Sequence, residues 1–324
     1  MNRKDSPPSH LSNIPVNKIR RNPDNPRLFF RTEELASLMD SIKRNGVLVP
    51  ITVYQEREHF VLIDGERRWR CADKLNIKNI PALVQPKPTP LNNLLLMFNI
   101  HALREQWDYF TIANKLPVVI ELFIREMQRE PNEVELSEIT GLTRGQIRRC
   151  RFLIDLPNHY KEMLVRELAL PKQKQQLSED FFIEMERSLK TVQHRIPSAV
   201  KDVNDVRNSL IDKFRHGVIP NITGFRKLSK IATSVSNLGI KEKKARDAIV
   251  RIFDASNSTG IDEVFTEHFE LRYDERKVSL SVDSIYEFLL AHTSKRTVQV
   301  LDAGLVSRLK RLHKLISRVL EEYE

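Results

Sequence analysis

The sequence predicts an α+β protein: a small α/β N-terminal domain, a central all-helical domain and a mixed, mostly helical C-terminal domain. Three observations carry this. Short apolar runs of strand length cluster before residue 85, separated by charged or turn-forming residues. After the proline-rich break Gln85-Pro86-Lys87-Pro88-Thr89-Pro90, apolar residues recur at helical spacing to about residue 216. Helical sequence then resumes, interrupted by apolar–polar alternation at 269–273 and 278–282 around Asp274-Glu275-Arg276, the pattern of a β-hairpin. A chain of 324 residues suits two or three domains better than one.

Residues 1–13 read as a disordered tail and 14–90 as the first domain. A strand is expected over 14–19, followed by Asn22-Pro23-Asp24-Asn25-Pro26-Arg27, a loop by its turn residues. A helix over 32–45 has Thr32 as its cap and Leu35, Leu38, Met39 and Ile42 on one face, with Gly46 where a helix C-terminal glycine belongs. Strands over 49–54 and 59–63 flank the charged turn Gln55-Glu56-Arg57-Glu58, and a helix over 67–75 precedes a strand over 80–84. The central domain, 91–216, opens with helices at 91–103 and 109–129 and carries a helix-turn-helix at about 136–154. The C-terminal domain, 217–324, is rich in Lys and Arg between Arg226 and Arg251 and closes with two helices.

A net charge of +10 and a pI near 9.6 point to an acidic partner, most simply nucleic acid. Cys71 and Cys150 have no CxxC or Cys/His neighbour, so they read as two buried thiols of a reducing compartment rather than a zinc or disulfide framework. The polar start MNRKDSPPSH lacks the apolar core of a signal peptide, and no run has the length to span a bilayer. The expectation is a cytoplasmic protein, associated with nucleoid or plasmid.

Two constellations carry chemistry. Asp64-Gly65-Glu66-Arg67-Arg68 joins an apolar strand to an amphipathic helix that continues through Trp69, Ala72 and Leu75. Glycine allows close backbone approach, helix-start amides favour negative charge, and arginine forks match phosphate oxygens two at a time, so this junction reads as a phosphate site. In the second, Gly141 makes a turn between two short helices and Thr143 caps the second, with Ile147, Cys150, Arg151 and Ile154 at helical spacing. Arg144, Gln146, Arg148 and Arg149 then lie on or near the exposed face, where such side chains read base edges or grip phosphates; Thr143 joins them as candidate DNA-binding residues. In the final helix Leu305, Leu309, Leu312, Ile316 and Val319 follow a 4-3-4-3 spacing that suits either a packed core helix or a dimer contact. His101 alone reads as a structural residue.

The first block resembles the ParB/sulfiredoxin-type N-terminal domain of the ParB/RepB/Spo0J chromosome and plasmid partition proteins. The residues that carry the resemblance are Asn22-Pro23 with Pro26-Arg27, Ser41-Ile42-Lys43-Arg44-Asn45-Gly46, Val49-Pro50-Ile51-Thr52-Val53, Leu62 through Arg70, and Ile80-Pro81-Ala82. The helix-turn-helix follows where that family places it, extending the similarity to about residue 165. The resemblance implies a CTP-dependent DNA clamp. Gly65, Glu66, Arg67 and Arg68 would hold the triphosphate, with Thr52 and Arg27 near the base and phosphates, and Asn99 and Arg104 at the phosphate and Mg²⁺ end. Phe98 stands where the family usually has glutamate, and Arg104 comes late, so nucleotide binding is expected ahead of CTP hydrolysis. Sulfiredoxin chemistry needs a cysteine inside the phosphate loop; here Glu66 occupies that region and Cys71 lies on the following helix.

The leading expectation is therefore a ParB/RepB-like partition protein that recognises a centromere-like site on double-stranded DNA, with CTP-regulated clamp closure. Its expected partners are a ParA-type ATPase, met through a basic N-terminal segment of which Asn2-Arg3-Lys4 is the trace here, and a second copy in a homodimer. The alternative is a helix-turn-helix transcription or replication regulator that has lost nucleotide switching. A nuclease ranks last, because no clustered carboxylate pair has an evident metal role.

Overall fold

The computed structural model describes residues 9–25, 32–102, 108–293 and 301–322. Its N-terminal part is a five-stranded mixed sheet with order β1-β5-β3-β4-β2, built from β1 (His10–Pro15), β2 (Ile19–Arg20), β3 (Ile51–Glu56), β4 (His59–Asp64) and β5 (Asn79–Gln85). β1 begins at His10 and pairs antiparallel with β5 from His10↔Val84 to Pro15↔Asn79. Residues 10–13, expected in a disordered tail, are thus an edge strand; pairing with β5 overrides their polar composition. β3 runs parallel to β5 and antiparallel to β4, with a register shift between Thr52 and Val53.

The strand alternation sorts side chains onto two faces. Ile51, Val53, Leu62, Ile80 and Ala82 point to one, where Ala72 of helix α2 (Glu66–Lys74) closes the core. Helix α1 (Thr32–Asn45) lies against α2 through Leu35, Ile42 and Cys71. Tyr54, Val61 and Ile63 point to the other face, which is covered by Leu91, Leu94, Met97 and Phe98 of α3 (Pro90–Ala102). The proline-rich stretch is therefore crossed by a continuous hydrophobic core, because α3 is the sheet's second layer.

That core runs on into a helical body. It comprises α4 (Tyr109–Met127), α5 (Glu133–Thr140), α6 (Arg144–Ile154), α7 (Asn158–Ala169), α8 (Glu179–Arg195), α9 (Val203–Arg215), α10 (Gly224–Leu238), α11 (Glu242–Phe253) and α12 (Ile261–His268). α6 lies against α4 and α8, and α8 against α10, where Phe181, Phe214 and Phe225 meet at ring separations of 4.6 and 5.4 Å.

The expected β-hairpin at 269–282 is instead part of the 24-residue helix α13 (Glu270–Thr293). The two apolar runs are separated by Asp274-Glu275-Arg276-Lys277, which contains none of the glycine or asparagine that a tight hairpin turn needs. Phe269 and Tyr273 are four apart and share the packed face: Phe269 is fully buried, and Tyr273 stacks on Phe265 at 5.8 Å and donates to the Lys230 carbonyl at 2.7 Å. The alternating residues beyond, Val278, Leu280 and Val282, remain 51–61% exposed, since a period of two does not match a helix face. α14 (Ala303–Glu321) follows, capped by Asp302, whose carboxylate accepts from the Leu305 amide at 3.0 Å.

Candidate functional site

The strand-to-helix junction after β4 is shaped by Gly65. It caps α2 with φ +95°, and an added Cβ would stand 2.6 Å from Ile51 Cγ2. The first helical hydrogen bond runs from the Trp69 amide to the Gly65 carbonyl at 3.0 Å, so the amides of Glu66, Arg67 and Arg68 precede the ladder, at the end of the helix that favours an anion.

The arginines here have divided roles. Arg68 donates to the carbonyls of Val49 and Pro50 at 2.7 and 2.9 Å and to Asp64 Oδ2 at 2.8 Å, fastening the segment that leads into β3 against the junction. Glu66, expected at the triphosphate, is buried and accepts from Arg21 Nε at 2.8 Å, Asn25 Nδ2 at 2.6 Å and both Arg70 Nε and Nη2 at 2.9 and 2.7 Å. Its carboxylate is thus committed to the loop after β2, and its role at the site is to hold that loop. The same loop is pinned to α3: Asn22 Nδ2 donates to Asn93 Oδ1 at 3.0 Å, and Asn93 Nδ2 to Asp24 Oδ2 at 3.1 Å. Sequence reasoning missed Arg21 and Asn93; Asn93 carried no signal, because an asparagine inside a helix resembles any other polar position.

Thr52 lies in β3 opposite Asp64, directly beside the junction. Asn99 does not join it. Its Nδ2 donates to the Ile139 carbonyl of α5 at 3.3 Å, and its Oδ1 stands 2.8 Å from where a Cβ on Gly141 would be. Phe98 is fully buried in the shared core. Arg27 and Arg104 lie outside the described residues. Among the described residues no group of three or more His, Cys, Asp or Glu is arranged to hold a metal.

The helix-turn-helix forms as the sequence predicts. α5 is capped by Asn132 with Glu135 in a capping box, Gly141 turns the chain at φ +72°, and Thr143 caps α6 with Gln146 completing a second box. Leu136, Leu142, Ile147, Cys150 and Leu153 are its core; Leu153 takes the place expected for Arg151, which is exposed. Burial pushes the Cys150 thiol up to about 12 and raises that of Cys71, which disfavours the thiolate at both.

Thr143 and Gln146 share a capping box: the Gln146 backbone amide donates to Thr143 Oγ1 at 3.2 Å, and the Thr143 backbone amide to Gln146 Oε1 at 2.8 Å. Arg144 and Arg148 project from the exposed face, and both meet Glu133 of α5. Arg149, expected beside them, turns inward: it pairs with Asp180 of α8 and lies over the Tyr109 ring at 4.8 Å. Of the predicted residues on α6, Arg144 and Arg148 are thus the arginines that stand exposed.

The fold is thus a sheet domain with a glycine–arginine junction at the start of α2, joined through α3 to a helix-turn-helix. Residues 2–97 match the sequence model of the ParB N-terminal domain. Over this part the chain is similar to the ParB N-terminal domain. It is 39% identical over 80 residues to the chromosome-partitioning protein ParB of Myxococcus xanthus, covering 25% of this chain and 27% of that protein. It is 29% identical over 155 residues to ParB of Caulobacter vibrioides, covering 47% and 48%. The chain thus matches about half the length, or less, of these curated relatives. Among solved structures, C-terminally truncated Caulobacter crescentus ParB complexed with CTP-γ-S is 22% identical, covering 56% of this chain and 99% of that one with a TM-score of 0.29. The same protein complexed to the centromeric parS site is 17% identical, covering 74% and 99% with a TM-score of 0.38.

Proposed function

We propose that this protein is a partition protein that binds a centromere-like DNA site through α5 and α6 and binds CTP at the Gly65–Arg68 junction. The nucleotide is nominated by the ligand of the Caulobacter crescentus protein. The observation that carries the reading is the placement of α3: one helix covers the sheet that bears the anion junction and, through Asn99, contacts the turn of the helix-turn-helix. Nucleotide at one end of this layer is thereby coupled to DNA at the other, the arrangement that clamp closure in a homodimer requires. Asn99 serves the DNA-side contact in this state, and Arg67 with the α2 amides supplies the phosphate end. With Phe98 buried in the core, hydrolysis is not part of the proposal. A ParA-type ATPase is the expected partner, and the protein would reside with the DNA it segregates.

Calorimetric titration with CTP, ATP, GTP and UTP in the presence of Mg²⁺, with and without duplex DNA, tests this. Preference for CTP and a change in its affinity when DNA is present are the expected results. Binding of DNA with no response to any nucleotide would select the regulator that lacks switching.

A further inference from the structure

The helix-turn-helix carries its own countercharge. Residues 133–155 hold the arginines 144, 148, 149 and 151 and the carboxylates Glu133, Glu135, Glu138 and Asp155, so the unit is neutral in a chain of net charge +10. These carboxylates do different things. Glu135 closes the cap of α5 and pairs with Arg129, while Glu138 is exposed on the same helix. Glu133 reaches across to α6. Its Oε1 accepts from Arg144 Nε at 2.7 Å and Arg148 Nη2 at 2.9 Å, and its Oε2 accepts from Arg148 Nε at 3.1 Å.

Arg144 and Arg148 are one helical turn apart, so a single carboxylate fixes the directions of two planar forks. The Glu133 side chain is only 20% exposed while the arginines are 56% and 60% exposed, so it lies beneath them as a floor. A free arginine at a DNA surface is drawn to whichever phosphate is nearest, which adds affinity without sequence information. An arginine tethered by a carboxylate loses part of that attraction and keeps its remaining donors in a set orientation, the condition for bidentate contact with a guanine edge.

We propose that Glu133 is a positioning residue for sequence discrimination: it holds Arg144 and Arg148 as an oriented pair and restrains them from indiscriminate phosphate contact. This rests on the helix-turn-helix being the DNA reader. The test uses full-length protein, a duplex recovered by selection from a random pool with the parent, and a random duplex, each titrated across a salt series. In Glu133→Gln, affinity for the random duplex should rise, the log–log salt slope should steepen by about 1 to 2, and the selected-to-random ratio should fall roughly fivefold or more. Glu138→Gln removes the same charge from the same helix without touching either arginine, and should leave the ratio at the parental value. An unchanged ratio and slope in Glu133→Gln, or an equal effect in Glu138→Gln, would overturn the positioning role. Arg148→Ala separates this from the underlying reading: if it leaves binding to both duplexes intact, the helix-turn-helix is not the reader, whereas if it weakens binding while Glu133→Gln does nothing, only the positioning role is lost. Melting temperatures of the variants identify a merely structural effect, which would move stability and not the ratio.

Discussion

Gly65 shows how one residue shapes the junction between β4 and α2. Its φ of +95° lies where a side chain costs about 1–2 kcal/mol, and a Cβ would also collide with Ile51, a core residue of β3. Gly65→Ala is expected to lower the melting temperature and abolish nucleotide binding together, read by thermal denaturation and calorimetry; retained binding at parental affinity would mean the phosphates sit elsewhere. Arg68 is the second such residue. Because it ties Val49, Pro50 and Asp64 together, Arg68→Ala should cost about 1–3 kcal/mol of stability as well as nucleotide affinity. An affinity loss in Arg68→Ala without a fall in denaturation midpoint would assign Arg68 to the ligand instead. The strand-to-helix junction was legible in the sequence around a glycine followed by arginines, but the internal commitments of Glu66 and Arg68 were not. A charged residue beside a phosphate loop has the same letter whether it faces the ligand or the fold, and only tertiary partners such as Arg21 and Asn25 decide which.

At the scale of elements, the packing of α8 on α4 and α6 contains a buried acid. Glu179, first residue of α8, accepts from the Phe110 amide at 2.8 Å, and burial pushes its carboxyl up to about 7, with Asp108 and Asp180 adding repulsion. Between its ordinary 4.5 and about 7 the folded protein binds more protons at this site than the unfolded chain does, so stability falls as pH rises through that window and is flat above it. Glu179→Gln should remove this slope and raise the urea midpoint at pH 8, measured as midpoint against pH from 5 to 8. A parental slope that persists in the variant would place its origin in another group. Glu133 and Glu135 are held at about 2 by their arginines, Glu135 also by the Asn132 amide, so their contributions are lost only at lower pH and leave the window clear. The helix-turn-helix was readable because its caps and glycine turn are local signals. α13 was misread because exposed apolar residues at 278–282 alternate by chance, and a sequence pattern does not report whether a face is covered.

At the scale of the whole molecule, charge and apolar surface are unevenly settled. The sheet, α3 and the helical body share one core, whereas α14 has no buried residue among the described ones. Leu312, Leu315, Ile316, Val319 and Leu320 stand 38–57% exposed along it, and Asp302 caps it as a well-formed helix. A helix this amphipathic gains its stability chiefly by burying its apolar face. A homodimer through α14 would do so and would set two helix-turn-helix units at paired half-sites. Burying one Leu or Ile side chain contributes about 1.5–3 kcal/mol, and a dimer loses that twice when the position is changed. Ile316→Glu should therefore raise the dimer dissociation constant roughly a hundredfold or more. Sedimentation velocity across a concentration series reads this directly, with the parent expected at twice the chain mass and the variant at one chain mass in the micromolar range. DNA affinity measured on a single half-site should survive the substitution, while affinity for a paired site should fall, since linkage of two readers is what dimerisation adds. A variant that sediments as the parent does would leave α14 without a role in self-association and move the dimer contact to another surface.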